Sequence, residues 1–213
     1  MEHFKILENL YLFPTPAGAY YAVSTPDTDP ARKVLRSLFQ FRSTLRLNLD
    51  NLTEWTGIKE KENAAELVER MQDLGWLQGC EELQYVPSGS LEDVLPELLS
   101  PLSDKGNVLL ADSLGFHIAH RGFNYEAVEQ LSALSAGLAT LHERHYGLLR
   151  KNLGLNTSAW ALVDVAGNSQ VGFWPLYIGK QKFVLVIGGV PHLNQPTLTQ
   201  LIWSLSIRYG EED

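Results

Sequence analysis

The chain has 213 residues, a formal net charge of −8 and a pI near 5.2, with 45% hydrophobic and 20% charged side chains. Residues 1–90 carry nine basic and 13 acidic groups and residues 91–213 carry eight and 12, so neither half has the basic footprint of a non-specific nucleic-acid binder. A single cysteine, Cys80, excludes an internal disulfide and cannot by itself build a zinc site.

The length suits one or two domains with ample apolar content for a core. The opening Met-Glu-His-Phe-Lys lacks a charged-then-apolar signal layout, and no apolar run approaches the roughly 20 residues of a membrane span. The chain therefore reads as cytoplasmic, without membrane insertion, and the acceptor-like triplets at Asn51 and Asn156 carry no meaning.

In chain order, residues 18–24 read as a strand, and Asp29-Pro30 then opens a helix with Asp as cap and Pro at the first position. Val34, Leu35, Leu38 and Phe39 form its buried face, leaving Arg32, Lys33 and Arg36 off it. Asn48 or Asp50 caps a short second helix holding Leu49, Leu52 and Trp55, which stops at Gly57. A third helix places Ala64, Leu67, Val68, Met71 and Leu74 at helical spacing and ends at Gly75. Residues 76–79 and 83–86 can then pair as a hairpin. The flexible cluster Pro87-Ser88-Gly89-Ser90 marks the seam between two domains, 1–88 and 89–213.

After the seam, Leu91, Val94, Leu95, Leu98 and Leu99 form a short amphipathic helix interrupted by Pro96. Asn107-Val-Leu-Leu-Ala-Asp112 is a strand, Ser113-Leu114-Gly115 breaks it, and residues 116–121 return as a second strand. Gly122 and Asn124 hand the chain to one long helix from Tyr125. Three strands follow at 158–166, 170–178 and 182–190, joined by hairpin turns, and a last helix runs from Pro196 to Gly210. Phe183-Val-Leu-Val-Ile187 is apolar on both faces, so its sheet is covered on both sides. Pro175 places its own strand at an edge or a bulge, because it has no amide hydrogen for the ladder.

The order helix-strand-strand-helix-strand-strand-strand-helix across 91–210 resembles the roadblock/LC7 family, with Asp112 just before the first hairpin turn. In the first half, Leu52-Thr-Glu-Trp-Thr-Gly-Ile58 and Leu74-Gly-Trp-Leu77 resemble the second helix and wing entry of a winged helix. The resemblance implies a mixed α/β (α+β) protein. Its C-terminal part would be a five-stranded antiparallel sheet flanked by helices with profilin-like layering, preceded by a small winged-helix-like domain. It further implies a dimer in which long helices pair across a two-fold axis, and a docking surface for a small Ras-like GTPase or another protein.

The long helix carries Val128, Leu131, Leu134, Leu138 and Leu141 as one stripe, expected to lie on the sheet. Ser132, Ala133, Ala136, Gly137 and Thr140 occupy the other side as the expected dimer interface, where small side chains admit a second helix. Gly137 in mid-helix costs roughly 1 kcal/mol against Ala, which a close approach would offset.

Catalytic patterns are weak. No Gly-rich phosphate loop occurs, the glycines at 167 and 172 lack nucleophile-elbow spacing, and Cys80 reads as inert in a wing loop. His142 and His145 lie one turn apart near a helix end, where solvated imidazoles facing the carbonyls explain them better than zinc. His117 and His120 point to no pair, and Asp112 reads as turn chemistry. No catalytic residue, metal or cofactor is expected. Arg32, Lys33 and Arg36 are either a small patch for an anionic partner or a balance for Asp27, Asp29 and Asp50, the second being favoured.

The expected role is a non-enzymatic dimeric scaffold or regulator. The alternative is a transcription regulator in which the C-terminal part dimerises two DNA-reading winged helices. Against it, the reading helix and wing, 59–82, hold three basic and seven acidic residues, a poor match to phosphates.

Overall fold

The computed structural model describes residues 10–155 and 157–210. Asn156, the chain ends and the side chains of Leu49 and Asp50 lie outside the described residues, and with them the readings placed there.

The first half begins with β1 (Tyr11–Pro14), α1 (Pro16–Val23) and α2 (Pro30–Leu38). Then come β2 (Leu45–Arg46), α3 (Leu49–Thr56), α4 (Lys61–Asp73) and β3 (Leu77–Cys80). The strand expected at 18–24 is instead helix α1. Thr15 caps it by accepting from the Gly18 amide at 3.1 Å, and Pro16 stands in the first turn, where a missing amide costs nothing. Gly18 is required by packing: a Cβ there would stand 2.0 Å from the Trp76 carbonyl oxygen.

The expected hairpin of 76–79 with 83–86 also gives way. β3 pairs antiparallel with β1, from Tyr11↔Cys80 to Pro14↔Leu77, in a three-stranded sheet of order β2-β1-β3. Residues 83–86 lie along 42–44 instead, through Thr44 N donating to Gln84 O at 2.9 Å and the bridge Ser43↔Tyr85. Glu81 and Glu82 are exposed, and the four residues of β1 take the ladder expected of 83–86. The helices α2, α3 and α4 keep the expected order, and Asp29 and Asn48 cap α2 and α3 as anticipated.

The second half comprises α5 (Leu91–Leu99), β4 (Asn107–Asp112), β5 (His117–Arg121) and α6 (Tyr125–Arg144). After a wide helical turn at Gly147–Asn152 follow β6 (Trp160–Val163), β7 (Ser169–Ile178), β8 (Gln181–Gly188) and α7 (Pro196–Tyr209). The five strands form one antiparallel sheet of order β5-β4-β8-β7-β6. The protein is thus a mixed α/β fold built on a five-stranded antiparallel sheet with helices on both faces, as expected.

β7 is flanked by β8 along its length, but β6 stops at Trp160↔Phe173, so Pro175 lies at a local edge. Asp112 is turn chemistry, its Oδ1 accepting from the amides of Leu114 and Phe116 at 2.9 Å each.

One sheet face, bearing Leu110, Leu185, Leu176 and Trp174, packs under α5, α7 and α1. The other, bearing Leu109, Val184, Val186 and Phe173, receives α6. The core is continuous from Leu12 to Leu205, because α1 lies against α7 and β7. Trp203 Nε1 donates to the Phe41 carbonyl at 2.7 Å, and Ser158 Oγ to the Ser24 carbonyl at 2.9 Å. Among the described residues, no helix is long and apolar enough to cross a membrane.

Candidate functional site

Helix α6 is seated in a different phase from the one its leucines suggest. Val128, Ser132, Ser135, Ala139 and His142 face the sheet and are buried, while Leu131 and Leu138 are half-buried flanks. Leu134 is 45% exposed and Leu141 39%, which corrects the expected core stripe. The sheet face beneath already carries Phe173, Val184, Val186 and Leu109, so small side chains are what allow the helix to come down onto it. Ser132, expected at a dimer interface, is 1% exposed and belongs to this buried seat.

The other four expected residues are accounted for. Ala133 and Ala136 lie against the β4–β5 turn, where a Cβ on Gly115 would stand 3.3 Å from Ala133 Cα and 3.5 Å from Ala136 Cβ. Thr140 is exposed and donates back to the Ala136 carbonyl at 3.0 Å. Gly137 is exposed, with nothing within 4 Å of where its Cβ would be. At 100° per residue, Gly137 stands at the centre of the outward face, one turn from both Leu134 and Leu141. Small residues and exposed leucines therefore share one surface.

The end of α6 adjoins an open sheet edge. β6 pairs only with β7, leaving its other side free of strands among the described residues. Trp160 and Leu162 pair with Phe173 and Val171 and so face the α6 side, and Leu162 is 61% exposed. Trp160 Nε1 donates to His142 Nδ1 at 3.3 Å, tying the end of α6 to the start of β6.

A cavity of about 710 Å³ lies between the α1–α2 connection and the end of α6. Its charges are matched across the wall. Asp27 is ion-paired with Arg150 and accepts from the Tyr146 hydroxyl at 3.1 Å. Burial pushes the Asp27 carboxyl up, but Tyr146, Arg150 and Thr25 outweigh it and leave the group below its usual range. Tyr21 stacks on Trp76 at 3.8 Å and carries the Arg32 guanidinium over its ring. Arg32 is ion-paired with Asp29. Desolvation opposes Asp29 as well, and its bonds from the Arg32 amide and Tyr21 hydroxyl leave it lowered.

Arg32 is therefore paired with a carboxylate. Arg36 instead donates to the carbonyls of Ala22 at 2.8 Å and Thr25 at 2.7 Å, bracing the α1–α2 connection. Only Lys33 of the expected patch is fully exposed.

His117 and His120 do come together. A bulge between Leu110 and Ala111 puts both on the α6 face of β5, with ring centroids 5.7 Å apart. Sequence alternation misses this because the bulge changes the register. His142 is buried, its pKa lowered by burial first and then by Lys182, with Glu143 opposing. His145 is exposed, and no group of three His, Cys, Asp or Glu close enough to hold a metal occurs among the described residues. Cys80 is half-buried in β3, and burial raises its thiol pKa.

No family model and no curated protein matches the chain. Solved structures that are similar include a roadblock/LC7 domain from Streptomyces avermitilis, 12% identical over 56% of this chain and 93% of its own, with a TM-score of 0.36. The gliding protein MglB from Thermus thermophilus is 17% identical over 59% of this chain and 94% of its own, with a TM-score of 0.37. MglB from Myxococcus xanthus is 19% identical over 56% and 89%, with a TM-score of 0.34. Likenesses this faint carry no weight on function.

Proposed function

We propose that this protein is a non-enzymatic scaffold that dimerises through the outward face of α6 and the free edge of β6, and that the dimer docks a protein partner. The observation that carries this is the exposure of Leu134 and Leu141 around Gly137, on a helix otherwise seated on its sheet, together with the edge of β6 left free of strands among the described residues. Exposed edges and exposed apolar rows are both costly in water, and a two-fold axis through β6 covers both at once. Antiparallel pairing of β6 with its copy keeps both α6 helices on one face of the joined sheet and turns the flanks bearing Leu134 and Leu141 toward the two-fold axis, since Ala133 and Ala136 take the opposite side against the β4–β5 turn. A small Ras-like GTPase is the partner class that the resemblance to roadblock/LC7 proteins implies.

Light scattering after gel filtration tests the dimer. We expect two copies at tens of micromolar, converted to one by Leu134→Glu with Leu141→Glu, and weakened by Gly137→Leu, whose side chain would hold the helices apart. A wild-type monomer at that concentration would sink the proposal. Hydrolysis of GTP by the purified protein at enzyme-like rates would overturn the scaffold role.

A further inference from the structure

The cavity between the α1–α2 connection and the end of α6 sits where the sheet loses a strand. β6 pairs with β7 only as far as Trp160↔Phe173, while β7 runs on beside β8 to Ile178. From Trp174 to Ile178 the side of β7 away from β8 has no strand against it among the described residues, and Tyr177 from this stretch lines the cavity. The segment leading into β6 lines it too, through Leu155, Thr157 and Ser158. Leu155 is 45% exposed there, and Leu153 just before it 59%, so this rim is apolar and open to water.

The far end of β6 carries a piece that suits the rim. The turn after Val163 is pinned by Asp164, whose Oδ1 accepts from the amides of Ala166 at 2.9 Å and Asn168 at 3.0 Å. Gly167 supplies its positive φ of 86°. Val165 stands fully exposed on this turn, following Leu162 and Val163, which are also exposed. A turn already fixed in shape has little entropy left to lose on docking. Its apolar tip gains by leaving water.

Symmetry brings the two ends together. In an antiparallel pair, facing residues either both bond across the pair or both do not, and the two kinds alternate along each strand. Two copies of one strand therefore meet with a single residue opposite its own copy on the two-fold axis. In Trp160–Val163 the central choices are Ala161 and Leu162. Val165 of one copy then falls opposite Thr157 or Ala159 of the other, beside the rim. We propose that the β6–β7 turn of each copy docks on the other's rim, with Val165 against Leu155, and closes the mouth of that cavity. The occupant of the rim is thus a second copy of this chain, and each cavity is incomplete without it. This rests on the pairing of β6 with its copy.

Disulfide trapping on the full chain, with Cys80→Ser removing the native thiol, tests the docking. Val165→Cys is mixed under mild oxidation with Thr157→Cys or with Ala159→Cys, one partner bearing a size tag. Facing residues of an antiparallel pair stand about 4.5–5.5 Å apart at Cα, within reach of a disulfide. We expect one of the two mixtures to give the mixed covalent dimer on a non-reducing gel. No single variant should cross-link to itself, because its two thiols would lie roughly 20 Å or more apart along the joined strands. Val165→Cys mixed with Leu114→Cys, an exposed position on the β4–β5 turn, should give no product. With Cys80 intact, Val165→Asp should raise the dimer Kd about tenfold by light scattering and leave circular dichroism unchanged. Absence of both mixed products from an intact dimer overturns the proposal, as does a Val165→Asp dimer as tight as wild type. Either result leaves the β6 dimer itself standing, whereas a wild-type monomer removes both.

Discussion

His142 is where acidity reaches the fold. Its Nδ1 accepts from Trp160 Nε1 and its ring meets the indole edge-on at 6.3 Å, so the packing needs the neutral imidazole. Burial, helped by Lys182, lowers its folded pKa below the ordinary value of 6.5. A lowered folded pKa means the unfolded chain takes up the proton first. The contribution of His142 is therefore whole above about pH 6.5 and is lost as pH falls through the folded value. We expect the melting temperature to drop between pH 7 and pH 5, and His142→Gln, which keeps an acceptor without titrating, to flatten that drop. Equal slopes for the two proteins would remove His142 from the account. Asp27 and Asp29, both lowered, act in a separate window, contributing above roughly pH 4 and fading below it.

At the scale of elements, α1 shows how packing overrules a β-like sequence. Ala-Tyr-Tyr-Ala-Val reads as a strand, yet Thr15 and Pro16 set a helix start and Gly18 lets it press on the Trp76 carbonyl. Gly18→Ala should gain up to about 1 kcal/mol in helix propensity and lose about 1–3 kcal/mol to overpacking, for a net loss on chemical denaturation. Stabilisation instead would mean that α1 and the 75–76 turn are not in this contact. α6 makes the complementary case. Its 3.6-residue period was legible, but its phase was not, because large residues do not always face the core. The sheet beneath it is already filled by Phe173 and Val186, and the complement of a bulky floor is a small-sided helix.

For the whole molecule, α7 is decisive. Leu198, Leu201, Ile202, Trp203 and Leu205, with Thr199, Ser204 and Ser206, are all buried, so this helix is covered on nearly every side. The sheet and α5 cover one side, and α1 with Phe13 from the first half covers another. The expected division into 1–88 and 89–213 is crossed by one core that runs from Leu12 to Leu205. The shared core predicts that the two units unfold together, in one transition followed by both far-ultraviolet dichroism and tryptophan fluorescence. Residues 89–213 expressed alone should expose the α1-facing side of α7 and melt lower or aggregate. Two well-separated transitions in the full chain would contradict this.

What the sequence determined by itself are the features that depend on neighbours a few residues away. The caps at Asp29, Asn48 and Asn124, the Asp112 turn and the hairpin order of the last three strands are local chemistry, and they specify the α/β class and its five-stranded sheet. The tertiary structure alone decided the pairing of β3 with β1, the rotation of α6 and the meeting of His117 with His120 across a bulge. It also brought Asp27 against Tyr146 and Arg150, 119 and 123 positions away in the chain. Each of these depends on the shape or charge of a surface distant in sequence, and local spacing carries no information about which surface the fold will bring opposite.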